Sequence, residues 1–243
     1  MSNSARVAVT GDTQAKTISG QTRLFLICGA IAGPLFTLSW FVQGLSRAGY
    51  DPMRYPISSL SMGASGWIQI GTFLITGLLF LAFGIALRNL LRGPSGSVWG
   101  PVLIMLLGIG LMGAGIFVTD PLNGYPAGTP ILPTERTTHG ILHDLFGIPV
   151  FLGLPIAGFV FGRFFARRGE GNWAWYSRLS GIGMFAVFFV ARLGFRMLDT
   201  YPDLAANFGL LQRITLIIGF AWATLLAVHM LNVTPQTVMV ERK

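Results

Sequence analysis

The sequence predicts an all-α membrane protein, a six-transmembrane-helix bundle with both termini cytoplasmic. Three observations carry this. Hydrophobic residues make up 52% of the 243, and charged residues only 11%, where a soluble domain carries about 25%. The charges are spaced so that they leave six long apolar stretches. The formal net charge of +8 gathers on one side of those stretches. A mean hydropathy of +0.63 sets aside a soluble enzyme and a disordered chain. The single cysteine, Cys28, sets aside a disulfide scaffold. The basic balance fits the positive-inside rule of membrane proteins better than nucleic-acid binding.

A spanning helix needs about 20 mainly apolar residues. Arg23 and Arg47 bound the first span, near 24–45. Arg54 and Arg88 bound the second, near 67–87. The third lies near 98–118, between Arg92 and Asp120, and the fourth near 141–163, between Asp144 and Arg163. The fifth is short in charge-free residues, because Arg178 and Arg192 stand close. Its apolar pattern continues, and it is placed near 178–198. The sixth lies near 209–231. These runs lack strand alternation, and lipid demands internally paired backbone, so each reads as a helix. Residues 1–22 are polar and mixed and are expected to be disordered, with 23–232 forming the membrane domain and 233–243 a cytoplasmic tail. The first span is expected to be a retained helix rather than a cleaved signal.

Orientation follows from charge. The side of the termini holds eleven of the 17 bases and three of the nine acids. The other side holds six of each, so its net charge is zero. The excess therefore assigns both termini to the cytoplasm and the protein to the plasma membrane. Asn232-Val233-Thr234 matches a glycosylation sequon but falls on the cytoplasmic side.

Three segments of the balanced outer side carry chemistry. The loop Asp51 to Ser61, followed by Gly63, Gly66 and Trp67, is broken by two prolines and several glycines. Its serines, Ser58, Ser59 and Ser61, could cap the second helix, line a pocket or supply a nucleophile. Thr119-Asp120-Pro121 ends the third helix. An aspartate at the negative end of a helix dipole requires a cation or a proton nearby, and Arg136, Arg192 and Arg196 are the available cations. The third segment, Glu135 to Asp144, starts the fourth helix with Thr137 or Thr138 as N-cap. It carries His139 and His143 at i, i+4, on one face, a spacing that can hold one metal ion.

Arg192 lies four to six residues inside the fifth helix, roughly 6–9 Å deep at 1.5 Å per residue. It must snorkel outward or pair with Asp120, Asp144 or Asp199. The expectation is one outer polar cluster of Asp120, His139, His143, Asp144 and Arg192, with Arg196 and the loop serines at its rim. Asp120, Asp144, Ser58 and Ser61 are its catalytic candidates. Asp120, His139, His143, Arg192 and Arg196 are its ligand-binding candidates. His139, His143 and Asp120 are its metal candidates, with zinc the fitting ion. The remaining histidine, His229, lies 16 residues past Arg213, about 24 Å deeper, so it joins neither a zinc site nor a haem with the other two. Gly29 and Gly33, Gly158 and Gly162, and the small residues Gly108, Gly110, Gly113, Ala114 and Gly115 predict close helix contacts within the bundle. Pro34 and Pro155 are expected to kink their helices. Trp173, Trp175 and Tyr176, beside Arg167 and Arg168, predict a cytoplasmic interfacial anchor.

The segments Tyr55-Pro56-Ile57-Ser58-Ser59-Leu60-Ser61, Gly66-Trp67, Thr119-Asp120-Pro121 and His139-Gly-Ile-Leu-His143 resemble those of the "domain of unknown function 998" family of prokaryotic six-helix membrane proteins. The resemblance covers about 24–231 and implies the six-helix fold without an activity. More distantly, the chain is similar to seven-helix membrane hydrolases such as alkaline ceramidases, which combine a serine, an aspartate and histidines around zinc. It departs from them in helix count and in histidine distribution, and it lacks a third histidine within reach.

Three functions follow as expectations. One is a membrane protein that binds a lipid or small molecule at its outer face. The second is a metal-dependent intramembrane hydrolase with His139, His143 and Asp120 as ligands and Asp144 as base. The third is a small transporter, against which stands the absence of an inverted repeat or a charged path across the midplane.

Overall fold

A computed structural model describes residues 18–93, 96–131, 135–197 and 200–237. Among them six helical segments are long and apolar enough to cross a membrane. These are α1 (Gly20–Ser46), α2 (Gly66–Leu90), α3 (Trp99–Ile116), a composite fourth span, α6 (Gly171–Arg196) and α8 (Phe208–Thr237). The fourth span joins α4 (Thr138–Ile148) to α5 (Leu154–Arg167) through a widened π turn at Pro149–Gly153. A short 3₁₀ turn, Ile57–Ser61, lies between α1 and α2, and a short helix, α7 (Pro202–Ala206), precedes α8. Six spans return the chain to the end where α1 began. We call this the terminus end and the other the site end.

The spans agree with the sequence reading except at their ends. α1 starts at Gly20, inside the segment expected to be disordered, because the Ser19 hydroxyl caps it by accepting from Thr22 N at 3.2 Å. Positions 1–17 and 238–243 of the two expected tails lie outside the described residues. α6 begins seven residues before the expected 178, so Arg178 falls within the helix. Its guanidinium stacks on Trp175 one turn earlier, 5.6 Å from the ring, which removes the conflict between a charge and a helical start. Arg192 sits in the last turns of α6, and Arg196 ends it.

The glycines act inside the bundle. A methyl on Gly33 would lie 2.8 Å from Phe220 O of α8, and one on Gly158 would lie 2.7 Å from Ser177 O of α6. Gly77 and Gly108 face each other across α2 and α3, where a methyl on either would come 2.6 Å from the other's carbonyl. Such approach lets backbones pack closely without a hydrophobic drive between helices. The core is built from Phe36, Phe80, Phe83, Phe161, Phe220 and Trp222, all buried.

The π turn has a local cause. Pro149 has no N–H to donate back along α4, and its carbonyl instead accepts from Leu154 N, five residues on. The loosened turn places Val150 and Phe151 beside a cavity at the site end. Sequence reading singled out Pro34 and Pro155 and passed over Pro149.

Candidate functional site

The site end is organised by three sets of polar contacts. In the first, Asp120 lies four residues past the end of α3, beyond the reach of that helix's negative terminus. Its carboxylate faces the start of α4, accepting from Thr137 Oγ1 at 2.5 Å and Thr137 N at 3.1 Å. Thr137 is the N-cap of α4, and its hydroxyl accepts from Gly140 N at 3.0 Å. The carboxylate packs directly on the Cα of buried Gly140, where no side chain would fit. A helix N-terminus favours an anion. Among the described residues no ion pair to Arg136, Arg192 or Arg196 forms at Asp120; Arg136 pairs instead with Asp144, Nη2 to Oδ2 at 2.5 Å.

In the second, His143 is buried and directs Nδ1 at Phe117 O (2.8 Å) and Ala114 O (3.1 Å), carbonyls at the end of α3. Both partners only accept, so Nδ1 carries the proton. His139, one turn earlier, is exposed, with its ring edge-on to Phe117. The two histidines therefore serve different surroundings. Asp120 is occupied by Thr137, and among the described residues no group of three or more His, Cys, Asp or Glu side chains is placed to hold a metal ion.

The third set frames the 3₁₀ turn. Arg213 of α8 is buried, and Nη1 donates to Tyr55 O (2.8 Å), Gly209 O (2.9 Å) and Pro52 O, while Nη2 donates to the Tyr50 hydroxyl. The guanidinium also stacks over Trp40, 5.1 Å from the ring. Burial pushes the Tyr50 phenol up to about 12, and the neighbouring Arg213 opposes part of that rise. Gln212 Oε1 accepts from Ile57 N at 2.8 Å. Arg47 Nη1 donates to Leu60 O (2.6 Å) and Met62 O (3.0 Å). Arg54 Nε donates to Asn123 O (3.1 Å), and Asn123 Nδ2 donates back to Arg54 O (2.7 Å), tying the first loop to the second.

This frame fixes the serines. Ser61 Oγ donates to Ser58 O at 2.6 Å and makes the turn. Ser59 Oγ is buried and unpartnered among the described residues. No side chain caps α2, whose N-cap position is Ser65, so the expected capping role of the loop serines is not realised. Ser58 is half-buried and borders two adjoining cavities.

The larger cavity, about 230 Å³, lies between the site ends of the fourth span, α6 and α8. Ser58, Thr119, His143, Asp144, Arg192 and Gln212 form its polar wall. Ile148, Phe151, Leu152 and Phe188 form its apolar wall, where the Phe151 and Phe188 rings stack at 4.6 Å. Ile148 and Leu152 are 49% and 40% exposed, so the apolar wall is also part of the bundle's outer surface. The second cavity, about 40 Å³, is a niche against the core. It shares Ser58, His143, Gly147, Phe151 and Gln212 with the first.

The expected cluster is thus divided. His143, Asp144 and Arg192 border the cavity with Ser58, Asp120 serves the start of α4, and His139 and Arg196 are exposed. Among the described residues Arg192 has no carboxylate within ion-pair distance; Asp199 lies outside them. Sequence reading missed Gln212, Arg213 and Gly140. The adjacent polar pair Gln212-Arg213 in the first turns of an apolar span was the available signal for two of them. His229 sits at the terminus end, Nε2 2.8 Å from Glu170 Oε2, with its ring 4.2 Å from that of Trp173 and tilted by 34°.

Fold and site define a class, that of helical proteins with six spans long and apolar enough to cross a membrane and a polar-walled cavity at one end. Within it, the chain belongs to the family described as "Protein of unknown function (DUF998)", whose model matches residues 30–229. No curated protein and no solved structure matches the chain.

Proposed function

We propose that the protein binds a lipid-like amphiphile whose polar head enters the larger cavity while its chains stay in the bilayer. The cavity's two-sided wall carries this reading. Its inner side offers hydrogen-bonding groups, and its outer side is made of the same Ile148 and Leu152 that face lipid. Ligand sites commonly combine an apolar lining with a few convergent polar groups, and π turns recur at functional sites. Asp144 is neutralised by Arg136, which leaves Arg192 to favour a phosphate-bearing head. The charge asymmetry assigns the site end to the extracytoplasmic leaflet of the plasma membrane and the termini to the cytoplasm.

The test is lipid retention. Protein purified in mild detergent and examined by native mass spectrometry should carry an anionic lipid. Gly147→Leu, which fills a position bordering both cavities, should reduce that occupancy at least tenfold without loss of folded protein. Equal occupancy in the folded variant would count against the cavity as the site.

A further inference from the structure

We infer that the junction of the two cavities is a hydrolytic centre for an acyl ester of that amphiphile, with His143 as general base toward a water held in the niche. The inference rests on the lipid-binding reading above and adds a reaction to it.

The niche has the size and lining for such a water. A buried water needs roughly 10–15 Å³ of such space, so 40 Å³ holds about three. Its walls are apolar side chains, Phe36, Phe73 and Leu111 among them, apart from Ser58, His143 and Gln212. These three polar residues also border the larger cavity. A water in the niche and an ester in the cavity would therefore meet at the same three side chains.

His143 and Gln212 have their side-chain orientations set elsewhere in the fold, and Ser58 its backbone. The Nδ1 proton of His143 is spent on Phe117 O and Ala114 O, so neutral imidazole carries its free lone pair on Nε2. Gln212 spends its carbonyl on Ile57 N, a pure donor, so the amide is not reversed and both of its N–H donors remain. The Ser58 carbonyl is engaged by Ser61, and the residue borders both cavities. One proton acceptor and two kinds of donor converge, which is what attack on a carbonyl requires.

The reaction balances without a redox partner. The niche water gives a proton to His143 Nε2 as its oxygen bonds to the ester carbon. The Ser58 hydroxyl and the Gln212 amide donate to the oxyanion. The carbon–oxygen bond to the alcohol then breaks, and the departing oxygen takes the proton back from Nε2. The products are a fatty acid and the deacylated head. Through the transfer the Nδ1–H keeps donating to Phe117 O and Ala114 O, which holds the ring in place.

The experiment uses the full chain in proteoliposomes of phosphatidylglycerol bearing a fluorogenic acyl chain, in water enriched in ¹⁸O. Fatty acid should be released with one ¹⁸O per molecule. His143→Gln should lower the rate about 100-fold or more, and Gln212→Glu, which keeps the carbonyl oxygen but removes the amide donors, about 100-fold. Ser58→Ala should slow the reaction without abolishing it. Lipid bound by each variant, read by native mass spectrometry, normalises its rate, so that a loss of hydrolysis per bound lipid is what counts. Lipid bound but never hydrolysed by the wild-type chain overturns this inference and leaves the binding proposal intact. No lipid bound overturns both. Covalent capture of Ser58 by a fluorophosphonate, with all activity lost in Ser58→Ala, makes the serine the nucleophile and overturns the role given to water.

Discussion

The carboxylate of Asp120 accepts both the amide and the hydroxyl of Thr137, at 3.1 and 2.5 Å, and so ties the end of α3 to the start of α4. The same hydroxyl accepts from Gly140 N, forming a chain of bonds from carboxylate to helix. Replacing Asp120 with Ala removes both acceptors at the start of α4, a loss of about 1–2 kcal/mol. Gly140→Ala should destabilise as well, because its methyl would overlap the carboxylate. Thermal unfolding in detergent would show this. A Gly140→Ala protein as stable as wild type would contradict the contact.

Arg213 is a buried cation whose two terminal nitrogens are bonded by carbonyls and a phenol rather than by a carboxylate, while its Nε has no partner among the described residues. Arg213→Met would leave Pro52 O and the Tyr50 hydroxyl without their donor and free the first loop. The expected loss is about 2–4 kcal/mol, the cost of several buried polar groups without partners. The same change should raise protease sensitivity between α1 and α2. Limited proteolysis resolves this from a global effect, since only the former cuts in that loop at low temperature.

How much of this was legible in the chain depended on the reach of each interaction. Lipid imposes its demand residue by residue, so Arg23, Arg88, Arg92 and Asp120 sufficed to bracket spans. The cap of α4 was legible as Thr137 or Thr138 because capping is local, and the bond from Gly140, three residues on, selects Thr137. Asp120 was marked as an acid at a helix's negative end that needs a cation or a proton, and it meets the amide and hydroxyl of Thr137 instead. Its partner was misjudged because α3 stops at Ile116, which turns the aspartate from one helix's negative end to the next helix's positive end. Gln212 meets Ile57 across 155 residues of sequence, and nothing near either residue records that meeting. The division of His139 from His143 was equally invisible: i, i+4 spacing fixes a shared face, but not that the carbonyls of Ala114 and Phe117 meet only one of them.

Tyr50 gives the protein an alkaline limit. Its hydroxyl donates to Pro56 O at 2.9 Å while accepting from Arg213, and its folded pKa is raised from 10 to about 12. A raised phenol binds its proton more tightly in the folded state. The resulting stability is fully present below pH 10 and is lost as pH climbs through about 12. Unfolding temperature should fall over that window. The fall should shrink in Tyr50→Phe, which cannot ionise, and a variant with an unchanged alkaline slope would remove Tyr50 as its cause.

The inferred topology makes opposite claims about two exposed positions. Ser65 precedes α2 at the site end, and Asn172 begins α6 at the terminus end. With the single native cysteine removed as Cys28→Ser, Ser65→Cys should react with a membrane-impermeant maleimide on intact cells, and Asn172→Cys only after permeabilisation. The reverse pattern would place the cavity in the cytoplasmic leaflet, against the charge asymmetry. It would also change which lipids reach Arg192, because the head entering between the fourth span and α6 must come from the leaflet that Ile148 and Leu152 face.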